Sequence, residues 1–159
     1  MKMTKQLLLA FLLLTSHLCY SQFSYNELVS FRNKSKDEIT TFLNANKPGW
    51  KYSNFDKEKD RHTWTKGNDK LMIDYFSTTS KIVKYFTIDQ ALCKKISSQM
   101  GSTLEYELPY SIDYEAEGLQ IFKGSKYYVV VHAICKSDDD VCNWQVDLMT
   151  ASRFTTEKY

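Results

Sequence analysis

Between residues 104 and 115 the chain alternates without a break. Leu104, Tyr106, Leu108, Tyr110, Ile112 and Tyr114 take the even positions, and Glu105, Glu107, Pro109, Ser111, Asp113 and Glu115 the odd ones. A period of two predicts a strand with one buried face. Pro109 has no amide for a ladder hydrogen bond, so this strand belongs at a sheet edge or is interrupted there. Other strands are predicted from β-branched and aromatic runs. Trp50 and Tyr52 open one, and His62, Trp64 and Lys66 lie in a second that Gly67-Asn68-Asp69 closes. Leu71 to Ser77, Ile82 to Ile88, Leu119 to Phe122, Tyr127 to Cys135 and Cys142 to Thr150 complete the set.

Helical periodicity appears in three places. Ser24 with Glu27, and Ser35 with Glu38, are capping boxes that precede apolar runs (Leu28 and Phe31; Ile39, Phe42 and Leu43). In each, a serine and a glutamate three residues on satisfy orphan amides at a helix start. They predict a short helix and a second from about Asp37 to Asn46, stopped by Pro48-Gly49. A third runs from about Gln90 to Met100, with Asp89 as N-cap and Gly101 as stop. Leu92, Cys93, Ile96 and Met100 share its apolar face.

The order of elements repeats loosely. Lys66-Gly67-Asn68-Asp69-Lys70 leads into one apolar strand, and Lys123-Gly124-Ser125-Lys126 leads into another. The expected fold is α+β, with two α-β-β-β-like units sharing one antiparallel sheet and helices packed on one face.

The first 21 residues stand apart. Lys2 and Lys5 precede the apolar run Leu7 to Leu14, and Cys19-Tyr20-Ser21 offers small residues where a signal peptidase cuts. This is the layout of a secretory signal peptide over 1–21. The single α+β domain is then 22–159, exported to a periplasmic or extracellular space. A lipoprotein anchor at Cys19 is disfavoured, because His17 and Leu18 precede it where small residues are usual. The apolar run is too short to span a bilayer, and no longer one follows in the mature chain.

Composition narrows the function classes. The net charge of +2 includes the two leader lysines, so the mature chain is near neutral and no nucleic-acid partner is expected. Charge is uneven: twelve basic against nine acidic residues between Phe23 and Gln90, three against nine between Gly101 and Ala151. Ordinary solvation of strand faces accounts for this. Aromatic residues make up 14% of the chain, and the eleven tyrosines are expected mainly in the core.

Cleavage leaves Cys93, Cys135 and Cys142, in an oxidising compartment where a disulfide persists. A Cys135–Cys142 bridge across a hairpin would set Ala133 opposite Trp144, Val131 opposite Val146 and Val129 opposite Leu148. It would set Val130 opposite Asp147 and His132 opposite Gln145 on the other face. A one-residue slip would scramble this pattern, so the hydrophobic phase favours the bridged register. Asp138, Asp139 and Asp140 then form the hairpin tip, a candidate contact point for a partner. They lack the ligand spacing of a calcium loop, and two cysteines alone do not make a zinc site. No metal or other cofactor is expected.

Catalytic motifs are also missing from the pattern. There is no Gly-x-Ser-x-Gly, no phosphate-cradling glycine loop and no His-Glu-x-x-His. Cys93 reads as a buried thiol rather than a nucleophile. His62 and His132 belong to no motif, and a Cys93–His132 dyad has no support in the spacing. Asp113, Glu115 and Glu117 form a carboxylate row that reads as a charged strand edge. The expected function is an exported, non-enzymatic module that binds another macromolecule, inhibitor- or immunity-like, with another protein as the candidate partner. The rival expectations are a small hydrolase using Cys93 or the Asp113/Glu115/Glu117 row, and a carrier with a closed apolar pocket.

Overall fold

The computed structural model describes residues 22–75, 81–101, 105–107, 119–124, 127–134 and 143–157. In chain order these form α1 (Tyr25–Phe31), α2 (Lys36–Asn46), β1 (Lys51–Asp56), β2 (Arg61–Lys66), β3 (Asp69–Tyr75) and β4 (Lys81–Thr87). There follow α3 (Gln90–Gly101), β5 (Glu105–Glu107), β6 (Gln120–Lys123), β7 (Tyr128–Ile134), β8 (Asn143–Met149) and α4 (Ala151–Glu157).

Local chemistry sets the helix starts. Both capping boxes form: the Ser24 hydroxyl accepts from the Glu27 amide, the Ser35 hydroxyl accepts from the Glu38 amide, and each glutamate side chain accepts from its serine amide. Asp89 caps α3 by accepting from the Leu92 amide at 3.0 Å. Turn residues are equally local. Gly67, at φ +57°, provides the left-handed backbone that the two-residue turn between β2 and β3 requires.

The eight described strands make one antiparallel sheet in the order β1-β2-β3-β4-β8-β7-β6-β5. Each half is a meander of four strands, preceded by helix, so the two-unit reading holds with four strands per unit. The halves meet where the last strands of each, β4 and β8, pair antiparallel from Val83 opposite Leu148 to Thr87 opposite Trp144. α1 lies over β4, α3 over β8, and the two helices touch. β5 closes the sheet at one edge, as expected for the alternating segment; its continuation at 108–118 lies outside the described residues.

Alternation assigns the two sheet faces. Ile73, Val83, Leu148 and Val129 are successive cross-strand neighbours, as are Leu71, Tyr85, Val146 and Val131. These rows meet Leu28, Phe31, Ile39, Leu43, Leu92, Ile96 and Met100 from the helices in the main core. Phe23 begins this core, edge-on to Phe31 and Tyr85 at ring-centroid distances of 5.4 and 5.2 Å.

The three expected helices share that face. α4, which no pattern in the chain had suggested, lies on the other. Its Phe154 stacks on Tyr128 at 4.1 Å and joins Ile82, Ile121, Val130 and Met149 in a second cluster. A signal for it exists in retrospect. Thr150 sits at the N-cap position, with its carbonyl accepting from the Phe154 amide at 2.9 Å. Met149 before the cap and Phe154 after it form a hydrophobic staple.

The β7–β8 hairpin adopts the predicted register. Val129 opposes Leu148, Val131 opposes Val146, Ala133 opposes Trp144, Val130 opposes Asp147 and His132 opposes Gln145. The last described pair is Ile134 with Asn143. Cys135, Cys142 and the Asp138–Asp139–Asp140 tip, like Asp113, Glu115 and Glu117, lie outside the described residues.

Candidate functional site

β1 departs from simple alternation. Tyr52 pairs with Trp64, but Asn54 pairs with Thr63 and Phe55 with His62, so Ser53 is an extra residue. In a regular strand Tyr52 and Phe55, three apart, would face opposite sides. The bulge shifts the phase by one, and both aromatic rings fall on the face of their partners Trp64 and His62. Trp64 is sealed in the core, where its indole Nε1 donates to the Thr40 hydroxyl at 3.1 Å. Tyr52 and Phe55 remain 40% and 45% exposed.

The result is an aromatic platform around His62. Phe55 stacks on the imidazole at 4.7 Å, and Tyr75 of β3 meets it edge-on at 5.4 Å. The Tyr52 hydroxyl and His62 Nδ1 are hydrogen-bonded at 2.9 Å. Two lysines border the platform: Lys36 Nζ lies 5.1 Å from the Tyr52 ring centre, and Lys81 Nζ 4.7 Å from that of Tyr75. Partial burial holds the His62 pKa below its ordinary 6.5, with Asp60 opposing the shift. Burial lifts Tyr75 to about 12, which keeps its hydroxyl a neutral donor to the Lys34 carbonyl at 3.3 Å. The platform therefore offers apolar faces, neutral hydrogen-bonding groups and two cations, the chemistry of a contact surface.

This surface corrects the expectation that the tyrosines are mainly core where it concerns Tyr52. Its signal was present: two large aromatic residues three apart in a strand, separated by Ser53-Asn54, imply a bulge or a wasted exposed ring.

The opposite face carries a second polar cluster. Arg61 and Asp74, directly opposed on β2 and β3, form a two-pronged ion pair, with Nη2 to Oδ2 at 2.7 Å. Lys84 and Asp147, opposed across the β4–β8 seam, lie 3.5 Å apart. Asp147 is fully buried, and the Gln145 amide donates to both its oxygens at 2.7 Å. Two cations and two anions balance. The cluster fixes register between strands rather than presenting a free group to solvent.

The remaining candidates are placed as follows. Cys93 is a free thiol, 1% exposed, in the helix-side core, and burial raises its pKa to about 12. His132 pairs with Gln145 on the opposite sheet face, so the sheet separates the two, and no Cys93–His132 dyad forms. A cleft of about 340 Å³ opens between α1 and α3, lined in part by Phe23, Ile96, Glu27, Lys47 and Lys95. Lys47 is committed there: its Nζ donates to the Gln22 carbonyl at 2.6 Å and pairs with Glu27 at 2.9 Å. Its mixed, open lining is not the closed apolar cavity that a carrier requires. Among the described residues no three His, Cys, Asp or Glu side chains gather as metal ligands, and no helix is long and apolar enough to cross a membrane.

Neither the family models, nor the curated proteins, nor the solved structures compared with this chain give a match.

Proposed function

We propose that this chain is an exported, non-enzymatic module that binds another protein through the platform of Tyr52, Phe55, His62 and Tyr75. One observation carries the reading: the Ser53 bulge turns two large aromatic rings outward on one face and leaves both more than a third exposed. Leaving these residues 40% and 45% exposed forfeits part of the roughly 1.5–3 kcal/mol that full burial of each would give, an arrangement with little structural benefit. Partner contacts built on aromatic anchors recover that burial. The separation of Cys93 from His132 weighs against a hydrolase built on that thiol, and the commitment of Lys47 against a carrier site in the cleft. Export is read from the leader pattern at 1–21, with cleavage after Ser21. The Asp138–Asp139–Asp140 tip, stapled by Cys135–Cys142, is a second contact point in the same reading.

The test compares two baits, the mature chain and its Tyr52→Ser/Phe55→Ser variant, in affinity capture from the native envelope and secreted fraction. A protein held reproducibly by the first and lost by the second supports the proposal. Equal capture by both, or turnover of a screened substrate by the mature chain, sinks it. Amino-terminal sequencing of the exported chain should begin at Gln22.

A further inference from the structure

Among the described residues β1 is an edge strand of the sheet, and Lys51 to Phe55 are all exposed. Its sequence, Lys51-Tyr52-Ser53-Asn54-Phe55-Asp56, runs cation, aromatic, polar, polar, aromatic, anion. Read backwards it is its own complement. We propose that the outer edge of β1 pairs antiparallel with β1 of a second copy of this chain. In that register Lys51 opposes the partner's Asp56, and Tyr52 opposes the partner's Phe55.

The bulge is what permits this register. Two antiparallel strands related by a twofold axis lie in one sheet, so paired residues must point to the same face. In a regular strand Tyr52 and Phe55 point apart and cannot pair. With Ser53 inserted, Tyr52 and Phe55 share the helix-side face, and Lys51 and Asp56 share the other. Hydrogen-bonding direction follows the same phase. Tyr52 and Phe55 match across β2 in equivalent positions, opposite residues 64 and 62, and Lys51 and Asp56 opposite 65 and 61. Their outward amides and carbonyls therefore meet in step on both sides of the dyad. Ser53 and Asn54 lie at the axis, where both strands are displaced equally.

The same features disfavour other strands. A bulge and a lysine normally blunt an edge against chance pairing. A strand with the same displaced phase and reversed charge order complements this edge at both ends, and this chain carries one. The Asp56 Oδ1 atom is occupied by the Glu58 and Lys59 amides at 3.0 and 3.3 Å, which leaves its other oxygen for an incoming lysine. Six residues of edge bury well under about 1,000 Å², so the association is weak and concentration-dependent. It would join two aromatic platforms into one continuous surface across the dyad, while Lys51 and Asp56 themselves lie on the opposite face.

Sedimentation equilibrium of the mature chain across micromolar to high-micromolar concentrations tests the proposal. The expected result is a monomer–dimer equilibrium. Lys51→Asp, which sets aspartate against the partner's Asp56 twice, should weaken it by about tenfold or more. Asp56→Lys should do the same, and an equimolar mixture of the two variants should restore it, because both contacts are then of opposite charge. A strictly monomeric wild type, or a Lys51→Asp variant that dimerises as well as wild type, overturns the proposal. If Asp56→Lys unsettles the turn by circular dichroism, Lys51→Asp alone decides. Partner capture by the Lys51→Asp variant separates this inference from the proposed function, since the platform residues are untouched.

Discussion

The seam between the two halves rests on a buried charge, and its energetics can be worked through. Lys84 and Asp147 oppose each other on β4 and β8 at 3.5 Å, and Asp147 is fully buried. Lys84→Met keeps the length of the side chain and removes the cation. It leaves a buried carboxylate with its ion pair broken, a loss of about 3–5 kcal/mol. Asp147→Asn keeps the shape and an acceptor for Gln145, and the Lys84 side chain, 12% exposed, can turn its ammonium toward water. That change should cost about 1–3 kcal/mol. In the double variant no charge is stranded, so it should lose less than Lys84→Met alone, with a coupling of about 2–4 kcal/mol. Equilibrium urea unfolding of the mature chain, with the slope unchanged across variants, gives the four stabilities. A double variant that loses the sum of the two singles would refute the reasoning. The pair would then be two independent polar groups, and the seam would be held by Val83, Tyr85, Val146 and Leu148.

Four further outcomes follow. Tyr52→Ser and Phe55→Ser, each losing a ring that is about half buried, should cost about 1–2 kcal/mol, whereas Phe23→Ala should cost about 3–5 kcal/mol; thermal melts distinguish half-exposed from buried rings. Cys93, raised to about 12 by burial, should react with a thiol reagent at neutral pH only as fast as the chain opens, and rapid labelling of folded protein would contradict its placement. His62 has a folded pKa below its unfolded 6.5, so the unfolded chain binds its proton first. Stability should fall as pH drops below about 6.5 through the depressed value, and a His62→Gln variant should show a flatter melting profile between pH 7.5 and 5. Peptide mapping of exported protein without reductant should recover a Cys135–Cys142 bridge, whose loss costs about 2–3 kcal/mol in the chain-entropy model; a disulfide containing Cys93 would contradict it.

What could be read in the chain was local. Ser24 with Glu27 and Ser35 with Glu38 announced their helices because each box closes within one turn. The β7–β8 face assignment was legible because a one-residue slip would set Val129 and Val131 against the polar phase of the facing strand, whereas the observed register sets them against Leu148 and Val146. The candidate site was not legible in the same way. His62 belonged to no motif, and Tyr52 read as a core residue like the other tyrosines, because nothing along the strand marks Ser53 as the extra residue that pairing with β2 creates.

The sequence by itself determined where the first three helices start, where strands turn and which face of each hairpin strand is apolar, since neighbours along the chain carry those energies. Tertiary structure alone decided that β4 meets β8, strands more than fifty residues apart whose polar partners Lys84 and Asp147 have no meaning singly. It also decided that α4 covers the second face, and that a one-residue bulge against β2 gathers Tyr52, Phe55, His62 and Tyr75 into one surface. A bulge is a property of two strands in register, and one strand's sequence holds only half of it.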